Sequence, residues 1–148
     1  MVPQLREGTQ GDAASIRALL ESAGLPTEGL SASNPQFVVA WDSSRLVAAG
    51  ALQRFGAAAL LRSVAVAPDR RGSGLGRAIV RDLERVARLA RVEQLFLLTQ
   101  TAQRFFEHQG YRVIERTSVP QDVQGSAEFR SLCPTAAICL AKKLTQQG

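Results

Sequence analysis

The chain has 148 residues, 45% of them hydrophobic, a net charge of +5 and two cysteines. The length suits one domain, residues 1–148, with a core of its own, and Cys133 and Cys139 form neither a disulfide framework nor a metal-ligand spacing, so no metal is expected. No apolar run approaches the roughly 20 residues that cross a bilayer, and the start, MVPQLREG, lacks the basic end and apolar stretch of a signal peptide, which predicts a cytoplasmic protein with no membrane partner.

VPQLRE reads as a short first strand. Asp12 is placed to cap a helix with apolar positions Ile16, Leu19, Leu20 and Ala23, and Gly24 then Pro26 stop it. PTEGL reads as a turn or a short second helix. QFVVAW and RLVAAGALQRF read as two strands joined by a turn at Asp42 to Ser44, with Trp41 in the core. ALLRSVAVAP is a short, nearly all-apolar strand closed by Pro68. A helix follows from Gly74 to Ala90, with Ile79, Leu83, Val86 and Ala90 as its apolar stripe and Arg77, Arg81, Arg85 and Arg88 facing away. EQLFLLTQ reads as a buried strand. Thr101 is placed to cap the helix AQRFFEHQ, and Gly110 fits its left-handed end. YRVIER reads as a strand, SVPQDVQGSAEFRSLCP as an irregular segment with a helical turn after Ser126, and TAAICLAKKL as the last strand. This order predicts a mixed α/β domain with antiparallel hairpins before a strand-helix-strand crossover.

The charge is concentrated. Of 18 basic and 13 acidic residues, seven and two fall between Arg70 and Arg91, leaving 11 of each elsewhere. The whole surplus therefore sits on the stretch RRGSGLGR and the helix after it. Glycines allow backbone amides to approach a ligand closely. At a helix start those amides lack partners and the dipole is positive, which makes an anion site, most often for phosphate. The alternatives are a tight turn that needs flexibility and a solvated face of arginines. The dinucleotide fingerprint fails, because its sixth position is Arg77, and no Gly-Lys-Ser/Thr follows to make a P-loop. Nucleic acid is not expected as a partner: aromatics are 5% of the chain and none lies between Phe55 and Phe96, so no stacking platform accompanies the charge.

The pattern Arg71-x-x-Gly74-x-Gly76 after Val66-Ala67-Pro68, with TAQRFFEHQGYR at the right spacing beyond it, closely resembles the acetyl-coenzyme A loop and later helix of the GNAT superfamily of N-acetyltransferases. The resemblance covers most of the chain. It implies a GNAT fold, a mixed central sheet with a splayed parallel strand pair and flanking helices, and acetyl-CoA as the acetyl donor. Val64, Ala65 and Val66 would meet the pantetheine arm as an added strand does. Arg71, Gly72, Ser73, Gly74, Leu75, Gly76 and Arg77 would wrap the pyrophosphate.

LFLLTQTAQRFFEHQGYR is similar to the acetyltransferase part of N-acetylglutamate synthases. With LLRSVAVAP and the tail residues Val119-Pro120, Glu128-Phe129 and Leu132-Cys133-Pro134, the chain is most similar to arsenic-resistance N-acetyltransferases. The resemblance suggests a small, amino-acid-like amine as substrate, in resistance to an arsenic-containing or other toxic analogue. The synthases' Arg-Ser pair before the last strand is replaced here by TAAICL. The backbone amide of Val64 would stabilise the oxyanion. Glu128 is the candidate base, or an exposed surface acid. Arg62, which strand alternation places on one face with Val64 and Val66, is a candidate clamp for a substrate carboxylate, or an arginine reaching solvent. Phe106 stands where relatives have the Tyr that protonates the leaving thiolate, while Tyr111 falls on a core position. Cys133 is a soft-centre ligand or a buried structural thiol, and His108 receives no role. Two other readings stay open: a GNAT-like domain that binds acyl-CoA and regulates, and a GNAT acting on a polyamine, an antibiotic or a protein N-terminus. A homodimer is one alternative for its assembly.

Overall fold

The structure, a computed structural model, describes residues 3–25, 27, 35–126, 129–130 and 137–144. Seven strands form one sheet in the order β1-β2-β3-β4-β5-β7-β6. They are β1 (Gln4–Glu7), β2 (Gln36–Asp42), β3 (Arg45–Phe55), β4 (Ala58–Val66), β5 (Gln94–Thr99), β6 (Arg112–Val113) and β7 (Ile138–Lys143). Helices α1 (Ala13–Ser22), α2 (Leu75–Leu89), α3 (Gln103–His108) and α4 (Gln121–Gln124) flank it. Every pairing is antiparallel except β4 with β5, which α2 connects. The mixed sheet and its one parallel pair follow the reading of the sequence.

Local chemistry shows why several boundaries differ from the sequence reading. Asp12 precedes α1 but its side chain does not cap it. The carboxylate is buried and instead accepts two hydrogen bonds of 2.8 Å from Arg6, one from the Thr9 amide and one from the Trp41 indole. Trp41 is accordingly half-buried, packed on the core rather than within it. Helix α3 is braced by Thr99, whose hydroxyl accepts from the Ala102 amide at 3.0 Å, not by Thr101. Gly110 ends that helix at φ 94°, as expected. The strand read from YRVIER shrinks to Arg112–Val113, because a helical turn at Arg116–Ser118 ends it. The segment after it holds α4, and the Arg130 amide donates to the Ser126 carbonyl at 3.0 Å; the helical turn expected after Ser126 falls partly outside the described residues. The segment PTEGL lies largely outside the described residues.

The core is a layer of side chains between sheet and helices. Leu20, Val38, Val47, Leu52, Ile79, Leu83, Leu95 and Leu140 have less than 2% of their surface exposed. Helix α2 buries Leu75, Ile79, Val80, Leu83 and Ala87, leaving Val86 and Ala90 half-buried. The buried stripe is therefore turned by about one position from the one read in the sequence. That turn brings a charged residue, Glu84, to 4% exposure.

Candidate active site

Two features of the fold make room for a ligand at one end of α2. The parallel pairing of β4 with β5 runs only from Ala58↔Gln94 to Leu60↔Phe96. Beyond it both strands continue, β4 to Val66 and β5 to Thr99, without pairing to each other. The edge of β4 that faces β5 is thus open along Val64, Ala65 and Val66, whose other edge is occupied by β3 through Ala48↔Val66 and Ala49↔Ala65. An extended chain laid in this parting meets backbone donors and acceptors that no strand has taken.

The second feature is the loop after β4. A helical turn, Pro68–Arg70, is tied to the β2–β3 hairpin by Arg45, which donates to Asp69 at 2.7 Å, and by Arg70, which pairs with Asp42. The Arg45 guanidinium holds the Asp69 carboxyl down to about 2. Arg70 is therefore committed to the scaffold. Arg71 and Arg77 remain exposed.

Three glycines follow, and they do different things. Gly72 and Gly74 have φ of 81° and 89°, a region that favours glycine, and no atom lies within 4 Å of the position a Cβ would take. Both backbone stretches border open space. Gly74 precedes the first turn of α2, and no side chain caps it. The first amides of that helix lack side-chain acceptors and carry the positive end of the dipole. Gly76 is a packing glycine: a Cβ there would sit 3.3 Å from the Phe105 ring and 3.6 Å from Val66. Close packing alone would call for a glycine at Gly76, which lets α2 pass close to α3. Leu75 is buried, and Ser73 turns its hydroxyl back onto the Arg70 carbonyl. An uncapped helix start, open glycine backbone, two exposed arginines and parted strands fit a ligand with an extended arm and phosphates.

Arg62 requires a correction of geometry. Ala49 pairs with Ala65 and Ala51 with Arg62, so one residue of β3, Gly50, stands opposite two of β4, Ser63 and Val64. Ser63 takes φ of 57° at this bulge. The extra residue reverses the alternation. Val64 faces α2, 3.3 Å from the Cβ position of Gly50 beside Ile79 and Leu83. Arg62 sits across from Ala51 and donates to Gln53 at 3.3 Å, on the opposite face. Arg62 and Val64 therefore do not share a face. Arg62 does not reach solvent either: it is 3% exposed. It lies two residues past Leu60, the last β4 residue paired with β5, where the strands begin to part.

The remaining candidates divide. Phe106 is buried, its ring edge-on to Phe105 at 5.0 Å and to Tyr111 at 5.6 Å. Tyr111 is a core residue, as expected, and its hydroxyl donates to Glu84 at 2.8 Å. Burial first, and the Glu84 carboxylate second, push that phenol well above its usual range, so Tyr111 stays protonated near neutral pH. Cys139 is buried, and burial pushes its thiol up to about 11, which removes it as a nucleophile. Glu128 and Cys133 lie outside the described residues. Among the described residues no group of three or more His, Cys, Asp or Glu side chains could hold a metal.

Sequence reasoning missed the partners of Tyr111. Glu84 accepts two bonds of 3.1 Å from Lys142, which also donates to the Gln109 carbonyl at 2.8 Å. The signal was present: Glu84 falls between Val80 and Ala87 on the buried side of α2.

Residues 33–113 match the acetyltransferase (GNAT) domain family, over more than half the chain. An amino-acid acetyltransferase of Mycobacterium tuberculosis is 37% identical over 84 residues, covering 57% of this chain and 45% of that protein. A Mycobacterium tuberculosis protein, Rv2747, solved in complex with CoA and NLQ, superposes with a TM-score of 0.82 at 28% identity, covering 97% of this chain and all of that one. The N-acetylglutamate synthase of Neisseria gonorrhoeae, complexed with coenzyme A and N-acetyl-glutamate, superposes at 0.83 with 20% identity, over 98% of this chain and 36% of that chain, a likeness of fold alone. The chain thus spans less than half the length of two of these three relatives.

Proposed function

We propose that this chain, which belongs to the GNAT acetyltransferase family and is an N-acetyltransferase on that ground, acetylates the amine of a small, amino-acid-like substrate. The observation that carries the reading is the opening of β4 from β5 beside an uncapped, glycine-flanked helix start. GNAT enzymes use acetyl-CoA as donor, and it supplies an acetyl group already activated as a thioester. The amino-acid part is supported by the relative that is an amino-acid acetyltransferase.

In this reading the residues divide the work. The open edge of Val64, Ala65 and Val66 aligns the extended arm by backbone hydrogen bonds, with the Val64 amide directed at the developing oxyanion. The amides from Gly72 to Gly76, with Arg71 and Arg77, hold the phosphates. Arg62 binds a substrate carboxylate at the mouth of the parting, where burial strengthens a charge-assisted pair. Glu128 takes the amine's proton. Phe106 carries no proton to give, so the thiolate leaves unassisted; a thiol's ordinary pKa of about 8.5 makes that tolerable near neutral pH.

The finer reading, resistance to an arsenic-containing or other toxic amino-acid analogue, rests on the sequence segments shared with that subfamily. Among the described residues no helix is long and apolar enough to cross a membrane. Monomer and homodimer are separated by light scattering. The reaction itself is tested by free-thiol release from acetyl-CoA with a panel of amines. α-Amino acids, including amino-acid analogues that carry arsenic, are expected to turn over faster than polyamines or aminoglycosides. A preference for polyamines, or tight acetyl-CoA binding with no transfer to any amine, contradicts the proposal.

A further inference from the structure

Beyond the glycine loop, α2 borders a cavity of about 400 Å³ lined by Arg77, Arg81, Glu84, His108, Gln109 and Lys142. Its charge is unevenly satisfied. Glu84 is engaged by Lys142 and by the Tyr111 hydroxyl. One turn further along α2, Arg85 pairs with Asp82 at 2.8 Å. Arg77 and Arg81 line the cavity, and neither takes part in an ion pair among the described residues. They stand four residues apart, neighbours on one face of the helix, where like charges repel. His108 comes to the same cavity from the end of α3. Two unspent guanidiniums and an imidazole around a recess describe an anion site.

We propose that Arg77, Arg81 and His108 form a second anion site, which takes the phosphomonoester on the ribose of coenzyme A. The inference rests on the cofactor reading above and deepens it. Arg77 is the link, since it follows the last glycine of the loop and also lines the cavity. Arg81 lies about 10 Å along the helix from Gly74, at 1.5 Å per residue. Coenzyme A carries its pyrophosphate and its 3′-phosphate on either side of one ribose, so one molecule presents anions at both places. A free phosphate would need neither the adjoining loop nor a recess of this size. The planar forks of the two arginines suit a phosphate with three terminal oxygens.

The test compares coenzyme A with 3′-dephospho-coenzyme A by calorimetry, in wild type and in Arg81→Gln, with inorganic phosphate as a third probe. Arg81 is exposed on a helix surface, so the variant is expected to fold, and its circular dichroism and melting temperature check this. Wild type is expected to bind coenzyme A about tenfold more tightly than the dephospho compound, the size of one charge-assisted hydrogen bond. Arg81→Gln is expected to remove that difference by weakening coenzyme A alone. Equal affinities for the two compounds in wild type overturn the site and leave the loop reading standing. Loss of both affinities in the variant also overturns it, by placing Arg81 on another part of the cofactor. Tight inorganic phosphate binding that Arg81→Gln abolishes, with no preference between the two cofactors, assigns the recess to a separate anion. Failure of wild type to bind either cofactor overturns both readings.

Discussion

Ser63 is the residue on which the geometry of the candidate site turns. A non-glycine residue at φ 57° is uncommon, and here it marks the extra residue of a bulge. Strict alternation would put Arg62 beside Val64 on the α2 face; the bulge sends Arg62 to the other face, buried, next to Gln53. No pattern in LLRSVAVAP announces this, because a serine does not signal a left-handed backbone as a glycine would. The glycine loop was legible for the opposite reason: two of its glycines stand at φ of 81° and 89°. The proposed role of Arg62 is testable with Arg62→Lys, which keeps the charge and loses the fork. KM for an amino-acid substrate is expected to rise about tenfold, in line with a lost charge-assisted bond, while acetyl-CoA affinity holds. Steady-state kinetics beside calorimetry checks this; an unchanged KM removes the clamp.

At the scale of elements, buried charges tie the layers together. Asp12 joins β1, the turn before α1 and β2, through Arg6, Thr9 and Trp41. Glu84 joins α2 to the end of α3 and to β7, through Tyr111 and Lys142. Both acids look unremarkable in the sequence, one at a helix start and one in a charged helix. Their most distant partners, Trp41 and Lys142, are 29 and 58 residues away, beyond what local patterning reports. The Arg6 hydrogen bonds hold the Asp12 carboxyl well below the usual carboxylate range, outweighing its burial. A depressed folded pKa contributes stability that is present above the unfolded value, about 4, and is lost as pH falls below it. Asp12→Asn is therefore expected to lower the melting temperature at pH 7, with a gap from wild type that narrows below about pH 4. A gap unchanged down to the acid limit of folding would contradict the pairing.

At the scale of the molecule, the order of strands and helices was legible, because apolar runs, turn residues and the charged helix are all local signals. Less legible were the boundaries set by distant partners, such as the short β6, and the parting of β4 from β5, which no single strand encodes. The parting joins the two readings of the chain. It opens beside the helix start that the glycine loop leaves uncapped, and the arginine surplus lies along the helix leading away from it.

The central claim is that this loop holds the donor's phosphates, and calorimetric titration of acetyl-CoA into wild type and Gly74→Val tests it most directly. No neighbour crowds the Cβ position at Gly74, so the substitution acts through the backbone, at φ 89°, and through the added bulk in front of the amides. A side chain in a left-handed conformation costs about 1–2 kcal/mol, which a folded variant tolerates. Wild type is expected to bind acetyl-CoA, and a folded Gly74→Val to lose at least tenfold in affinity. Equal affinity in the two folded proteins would place the phosphates elsewhere and contradict the account.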